Sequence, residues 1–307
     1  MSAPPFSQVA VIGIGLIGSS IARAISAYLP AIGIRLFDSD PAVRARARAL
    51  GLGEVCETAA LAAAGADLVI LAVPMGAMAN AAEAARPGLA DGVVVSDVGS
   101  TKQAVIEAVL PHLPPRALFI PGHPVAGTEY SGPDSGFASL FTQRWLILTP
   151  LEDARPAYGD AIARLEAFWA GLGAKLARME AERHDLILAI TSHLPHLIAF
   201  TIVATAEDLE AVTQADVVKY SAGGFRDFTR IAASDPIMWR DVFLANRDSV
   251  LEVLGRFSEN LAALQRAIRW GDGQTLFDTF TRARRVRREV IEAGQDTAAP
   301  NWGRDPS

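Results

Sequence analysis

The segment Gly13-Ile14-Gly15-Leu16-Ile17-Gly18 has the Gly-x-Gly-x-x-Gly spacing that lets a chain wrap a pyrophosphate. Gly13 permits the tight turn, Gly15 lets the backbone come close to the phosphates, and Gly18 lets the following helix pack against its strand. Leu16 and Ile17 open that helix, whose free amides face the anion. Asp38 stands twenty residues past Gly18. A carboxylate there accepts hydrogen bonds from the adenine ribose hydroxyls and repels a 2′-phosphate, so the pattern calls for NAD rather than NADP. The other reading of these glycines is a tight strand-to-helix turn in a nucleotide-free α/β fold.

A second set of residues could act on a substrate. His123 lies in the loop Gly122-His123-Pro124-Val125-Ala126-Gly127-Thr128-Glu129, and a neutral imidazole suits the proton half of an alcohol oxidation. Ser100 follows Gly99, placed either to hydrogen-bond a substrate hydroxyl or to cap a helix from Lys102 to Leu110. Lys102 reads as a solvated first-turn residue. His193 and His196 are three apart and share a helix face, where substrate contact or core hydrogen bonding fits better than metal ligation, since no acidic helix partner accompanies them. No metal is expected. Arg226 and Arg230 flank Asp227 after a glycine-containing turn. Either arginine could grip a carboxylate in a fork, or pair with Asp227 to tie helices together.

These residues need a scaffold, and the chain supplies alternating strands and helices. Val9 to Ile12 reads as a buried strand, Leu16 to Ala27 as a helix, Ile34 to Asp38 as a strand, and Pro41 to Leu50 as a helix. Leu68 to Val73 is a third strand closed by Pro74, and Val93 to Asp97 a fourth closed by Gly99. Such alternation implies a doubly wound parallel sheet of the Rossmann type, with ligands at the carboxyl ends of its strands. Val73, Pro74 and Asp97 are therefore expected at the cofactor. Leu118 to Ile120 and Trp145 to Leu148 add strands around a polar loop from Gly122 to Gly136. After a helix over Pro156 to Gly171 and a strand near Lys175 to Ala177, the pattern is helical, with a kink expected at Pro195. The division read from this pattern is a dinucleotide-binding α/β domain over 1–178, an all-helical domain over 179–295, and a disordered tail over 296–307.

Composition narrows the partners. A formal net charge of −6 argues against nucleic acid. The basic run from Arg282 to Arg288 reads as a solvated helix face, because Val286 and Val290 lie four apart on one edge. Cys56 is the only cysteine, which fits a reducing cytoplasm and a plain buried residue. No targeting segment is apparent, and no stretch reaches roughly 18 uninterrupted apolar residues, so no membrane is expected.

At these residues the chain resembles the prephenate and arogenate dehydrogenases, the cyclohexadienyl dehydrogenases of tyrosine biosynthesis. The resemblance rests on Gly13 to Gly18, Asp97-Val98-Gly99-Ser100-Thr101-Lys102, Gly122 to Glu129, Ser192 to His196, and Gly223 to Trp239. It implies oxidative decarboxylation of prephenate, arogenate or both. His123 matches the family's catalytic histidine, with Ser100 holding the C4 hydroxyl and Arg230 gripping the ring carboxylate. Thr128, Glu129, His193, His196 and Trp239 match positions lining the same pocket. The resemblance also implies a homodimer through the helical domain, and the chain's ends leave no room expected for a fused mutase or a regulatory ACT domain. Two other readings are a two-domain 3-hydroxyacid or imine-type dehydrogenase and a non-catalytic NAD-sensing regulator. The first would use a lysine base, for which Lys219 lacks a motif; intact His123 and Arg230 argue against the second.

Overall fold

A computed structural model describes residues 4–128, 130–213 and 218–292. Glu129 and the tail expected to be disordered lie outside the described residues. The described residues divide into two compact units, one running up to Val250 and one from Leu251.

In the first unit, short and mostly apolar segments become strands, those at the centre of the sheet buried on both faces. β1 (Gln8–Ile12), β2 (Gly33–Phe37), β3 (Glu54–Val55), β4 (Leu68–Leu71), β5 (Val94–Asp97) and β6 (Leu118–Phe119) form one parallel sheet in the order β3-β2-β1-β4-β5-β6. This is the classic doubly wound order, which reverses direction between β1 and β4 and opens a crevice there. α1 (Leu16–Tyr28), α2 (Pro41–Ala49), α3 (Ala59–Ala63), α4 (Met78–Ala85) and α5 (Gln103–Val109) connect the strands. One core cluster packs Ile21, Ile25, Phe168 and Trp169 against one face of the sheet, while the other is filled largely by alanines of α3 and α4 with Val105 and Val109.

Three short strands lie outside this sheet. β7 (Gly122–Pro124), β8 (Trp145–Leu148) and β9 (Lys175–Arg178) make a separate sheet, β7 antiparallel and β9 parallel to β8. His123 therefore sits on a strand, opposite Ile147, and not in the loop expected for it. Gly-His-Pro carries no alternation of its own; its partner strand lies more than twenty residues away and supplies the structure. α6 (Pro156–Gly171) joins β8 to β9.

Past Arg178 the described chain is helical. α7 (Ala181–Leu188) runs through a π-turn at Ala189–His193 into α8 (Leu194–Thr213). Pro195 lies just after that turn: a wider ladder relieves the clash between a proline ring and the carbonyl four residues earlier. The continuous helix from Ala181 to Glu210 is long and apolar enough to cross a membrane by length and composition, despite the polar residues that break its apolar run in sequence. α9 (Gly223–Thr229) and α10 (Pro236–Ala245) complete the first unit apart from the start of α11 (Arg247–Trp270). The second unit holds the rest of α11 and α12 (Gly273–Glu292), whose basic run is exposed except at half-buried Arg287.

Candidate active site

The glycine loop joins β1 to α1. Gly13 has φ +102°, and an added Cβ would lie 2.3 Å from the carbonyl oxygen of Ala72 on the neighbouring β4 connection. At Gly18 it would lie 1.9 Å from the Gly13 oxygen. Gly15 differs: a side chain there would meet no protein atom within 4 Å, so its backbone borders open space at the N-terminus of α1, whose first amides have no side-chain cap. These features fit a pyrophosphate. Asp38 immediately follows β2, its carboxylate accepting the Ile14 amide at 2.8 Å and the Asp40 amide at 3.0 Å, so it also ties the glycine loop to the second strand. Val73 is half-buried and Pro74 exposed just past β4, at the mouth of the crevice.

Asp97 is wholly buried at the end of β5, and its carboxylate is occupied within the protein. Oδ2 accepts the Gly99 amide at 2.7 Å and the Lys102 ammonium, and Oδ1 accepts the Gly122 amide at 3.1 Å. Lys102 is not the solvated residue expected. It has no exposed surface, and Nζ also donates to the Gly122 carbonyl at 2.6 Å. Ser100 is half-buried and does not cap α5, which begins at Gln103. The free amides of Lys102 and Gln103 donate instead to Asp185, at 2.7 and 2.9 Å.

His123 is buried beside this joint. Its Nδ1 lies 2.9 Å from His184 Nε2, and His184 Nδ1 lies 2.8 Å from Asp185 Oδ1. Burial, reinforced by nearby His184, Lys102 and His193, holds the His123 pKa well below the ordinary histidine value. Burial likewise pulls His184 down, although the hydrogen bond to Asp185 opposes it. His184, Asp185 and the buried role of Lys102 escaped the sequence reading. The signal was present as a His-Asp pair inside an apolar helix, nine residues before His193.

The π-turn sets the phase of this helix. Twelve residues of unbroken α-helix would turn His184 and His196 about 120° apart, whereas one residue absorbed in the π-turn leaves about 20°. His193 is buried, with Nδ1 3.1 Å from Asn246 Nδ2, which also donates to the Asp185 carbonyl at 2.8 Å. Burial pushes His193 down to about 4. His196 Nδ1 donates to the Ser192 carbonyl at 3.0 Å, and its ring stacks on Trp239 with centroids 3.6 Å apart. Burial lowers the His196 pKa, and nearby Arg230 adds to the effect. Arg230 is exposed at the end of α9. Thr128 is also exposed, its hydroxyl accepting the Tyr130 amide at 3.3 Å. His193 Nε2 and Trp239 Nε1 are buried with no hydrogen-bond partner among the described residues. One histidine cluster on the α7–α8 helix thus meets the strand bearing His123 and the end of α9.

Known proteins resemble this chain along nearly its full length. A model of the prephenate dehydrogenase nucleotide-binding domain matches residues 21–178, and one of the prephenate dehydrogenase dimerization domain matches 180–282. The chain belongs to the prephenate dehydrogenase family. It is 44% identical to the cyclohexadienyl dehydrogenase of Zymomonas mobilis over 92% of this chain and 95% of that one. With the prephenate dehydrogenase of Bacillus subtilis the identity is 34%, over 90% of this chain and 74% of the relative. The crystal structure of prephenate dehydrogenase from Aquifex aeolicus, in complex with hydroxyphenyl propionate and NAD+, superposes with a TM-score of 0.86 at 30% identity, covering 94% of this chain and 99% of that chain. As a member of this family the chain is an oxidoreductase with a Rossmann-type domain for NAD(H), as its motifs implied.

Proposed function

We propose that this protein oxidatively decarboxylates prephenate, arogenate or both, giving 4-hydroxyphenylpyruvate or tyrosine, with NAD preferred over NADP. The observation that carries this reading is the buried, neutral His123 on β7, linked through His184 to Asp185 in a chain of the prephenate dehydrogenase family. Bound NAD+ would supply the hydride acceptor, held by the glycine loop from Gly13 to Gly18 with Asp38 at the adenine ribose. His123 takes the proton of the substrate's C4 hydroxyl, and Ser100 holds that hydroxyl. Arg230 grips the ring carboxylate and orients C4. Aromatisation then drives loss of CO2: the electrons of the broken C–CO2 bond pass through the ring to the C4 oxygen, which takes its proton back from His123, so no separate acid is needed.

The side-chain end of the substrate meets His193 and His196, with Trp239 stacked on the latter. Both histidines are neutral near pH 7. His193 accepts from Asn246 at Nδ1 and so carries its proton on Nε2; His196 donates from Nδ1 and so offers Nε2 as an acceptor. One donor and one acceptor suit a keto oxygen or an ammonium, which supports use of both substrates. We also propose that Thr128 lines the same pocket.

We infer further that the protein is a cytoplasmic homodimer. Only 28% of the most apolar window of the helix from Ala181 to Glu210 is buried inside the chain, and Trp270, Phe277 and Phe280 of α11 and α12 are exposed; a second subunit would cover such surface. We further propose that the chain is organised as an α/β domain over 1–178 and a helical domain over 179–295. Steady-state assays with both substrates and both nicotinamide cofactors test the function. His123→Asn is expected to lower kcat by roughly 10²–10⁴; near-normal turnover of that variant would overturn the role of His123.

A further inference from the structure

His123 is one end of a buried chain of hydrogen bonds whose direction can be worked out from its other end. Asp185 is ionised: burial pushes its carboxyl up, but hydrogen bonds from His184 and from the amides of Lys102 and Gln103 bring it below the ordinary carboxylate value. An ionised carboxylate only accepts, so the proton between Asp185 Oδ1 and His184 Nδ1, 2.8 Å apart, belongs to His184. A neutral imidazole carries one N–H. His184 Nε2 is therefore a bare acceptor, and the 2.9 Å contact to His123 Nδ1 requires that His123 be the donor. With its proton fixed on Nδ1, neutral His123 must leave Nε2 bare.

We propose that His184 and Asp185 act in series behind His123 as positioning residues, locking it in the tautomer whose Nε2 takes the substrate proton and supporting the imidazolium that forms. The inference rests on the proposed role of His123 as base. In the step itself the substrate O–H bond breaks and a His123 Nε2–H bond forms. The Nδ1–H of the resulting imidazolium stays hydrogen-bonded to His184, whose own N–H remains on Asp185. The carboxylate does not take the proton; it polarises the intervening ring. The groups facing the two histidines are Lys102, His193, Asp97 and Asp185, and the Lys102 ammonium opposes a positive charge on His123, so the acceptor behind it matters. The backbone amides of Lys102 and Gln103 fix the far end of the chain, which keeps Asp185 from swinging toward other donors.

Two substitutions at position 184 separate positioning from packing. In His184→Gln the side-chain amide can donate to Asp185 and accept from His123, preserving the direction of the chain. In His184→Phe the ring volume stays and both hydrogen bonds go. Wild type is expected to turn over fastest and His184→Phe slowest, the latter losing at least about 10²-fold in kcat with KM and NAD affinity within about threefold of wild type; loss of the orienting carboxylate behind a protease histidine costs about 10⁴. Histidine ¹⁵N spectra of the wild-type protein should show His123 protonated on Nδ1. His184→Phe within threefold of wild-type kcat, or a wild-type His123 protonated on Nε2, would overturn the proposal. If His184→Phe does not fold, by loss of NAD binding and of a cooperative melt, the wild-type spectrum decides alone. Failure of the functional reading would look different, as a wild-type protein inactive on both substrates.

Discussion

Lys102 and Asp97 form an ion pair with no exposed surface on either side chain, five residues apart across the end of β5. The same ammonium reaches the carbonyl of Gly122 at 2.6 Å, so the pair fastens the strand that begins one residue before His123 to the main parallel sheet. Burial lowers the Lys102 pKa while Asp97 raises it. The joint therefore depends on both partners being present.

Lys102→Met should destabilise the fold by about 3–5 kcal/mol, because it leaves the Asp97 carboxylate buried without its cation. The double variant Lys102→Met with Asp97→Asn should recover part of that loss. Denaturant unfolding of the three proteins measures both quantities. A single variant as stable as wild type would show the pair to be dispensable.

Asp38→Ser should raise the ratio of NADP to NAD use, since it removes the charge that repels a 2′-phosphate. The carboxylate also holds the Ile14 amide at 2.8 Å, so the variant should bind both cofactors less tightly in absolute terms. Ratios of kcat/KM for the two cofactors separate these effects. A ratio that does not move rules out Asp38 as the discriminating group.

What could be read from the sequence and what could not divide along the distance over which each feature is determined. The glycine loop, β1, α1 and Asp38 are specified within one stretch of chain, so spacing and apolar runs located them, and the α6 bounds came out at the observed residues. β7 is three residues with no pattern, made a strand only by pairing with β8. Lys102 looks like any helix-start lysine until Asp97 and Gly122 close around it. Its amide finds Asp185 across 83 residues, a contact no local pattern encodes. Ser100 failed as a cap for the same reason: a distant carboxylate took the amides first.

Arg230→Ala should raise the KM for prephenate or arogenate by roughly tenfold to a hundredfold with a smaller change in kcat, as expected when a charge-assisted contact worth about 1.5–3 kcal/mol is lost. Arg230 also disfavours protonation of His196. The variant should accordingly raise the His196 pKa, visible in its ¹H–¹⁵N titration. An unchanged KM would remove Arg230 from the carboxylate site.

Acid should weaken the protein through its buried histidines. His123, His184, His193 and His196 all have pKa values below the ordinary histidine value in the folded chain. Between the folded and unfolded values the unfolded chain binds more protons, so stability rises with pH across that window. The contribution is complete above about pH 6.5 and is lost as pH falls toward the folded values. For His193, whose folded value is about 4, the loss between pH 7.5 and pH 5 is about 2 kcal/mol. Unfolding free energies at those two pH values should therefore differ by at least that much in wild type. His193→Gln, which keeps a neutral hydrogen-bonding group beside Asn246, should shrink the difference by about 2 kcal/mol while lowering stability at pH 7.5. Equal pH dependence in the two proteins would mean that His193 is not buried in its neutral form.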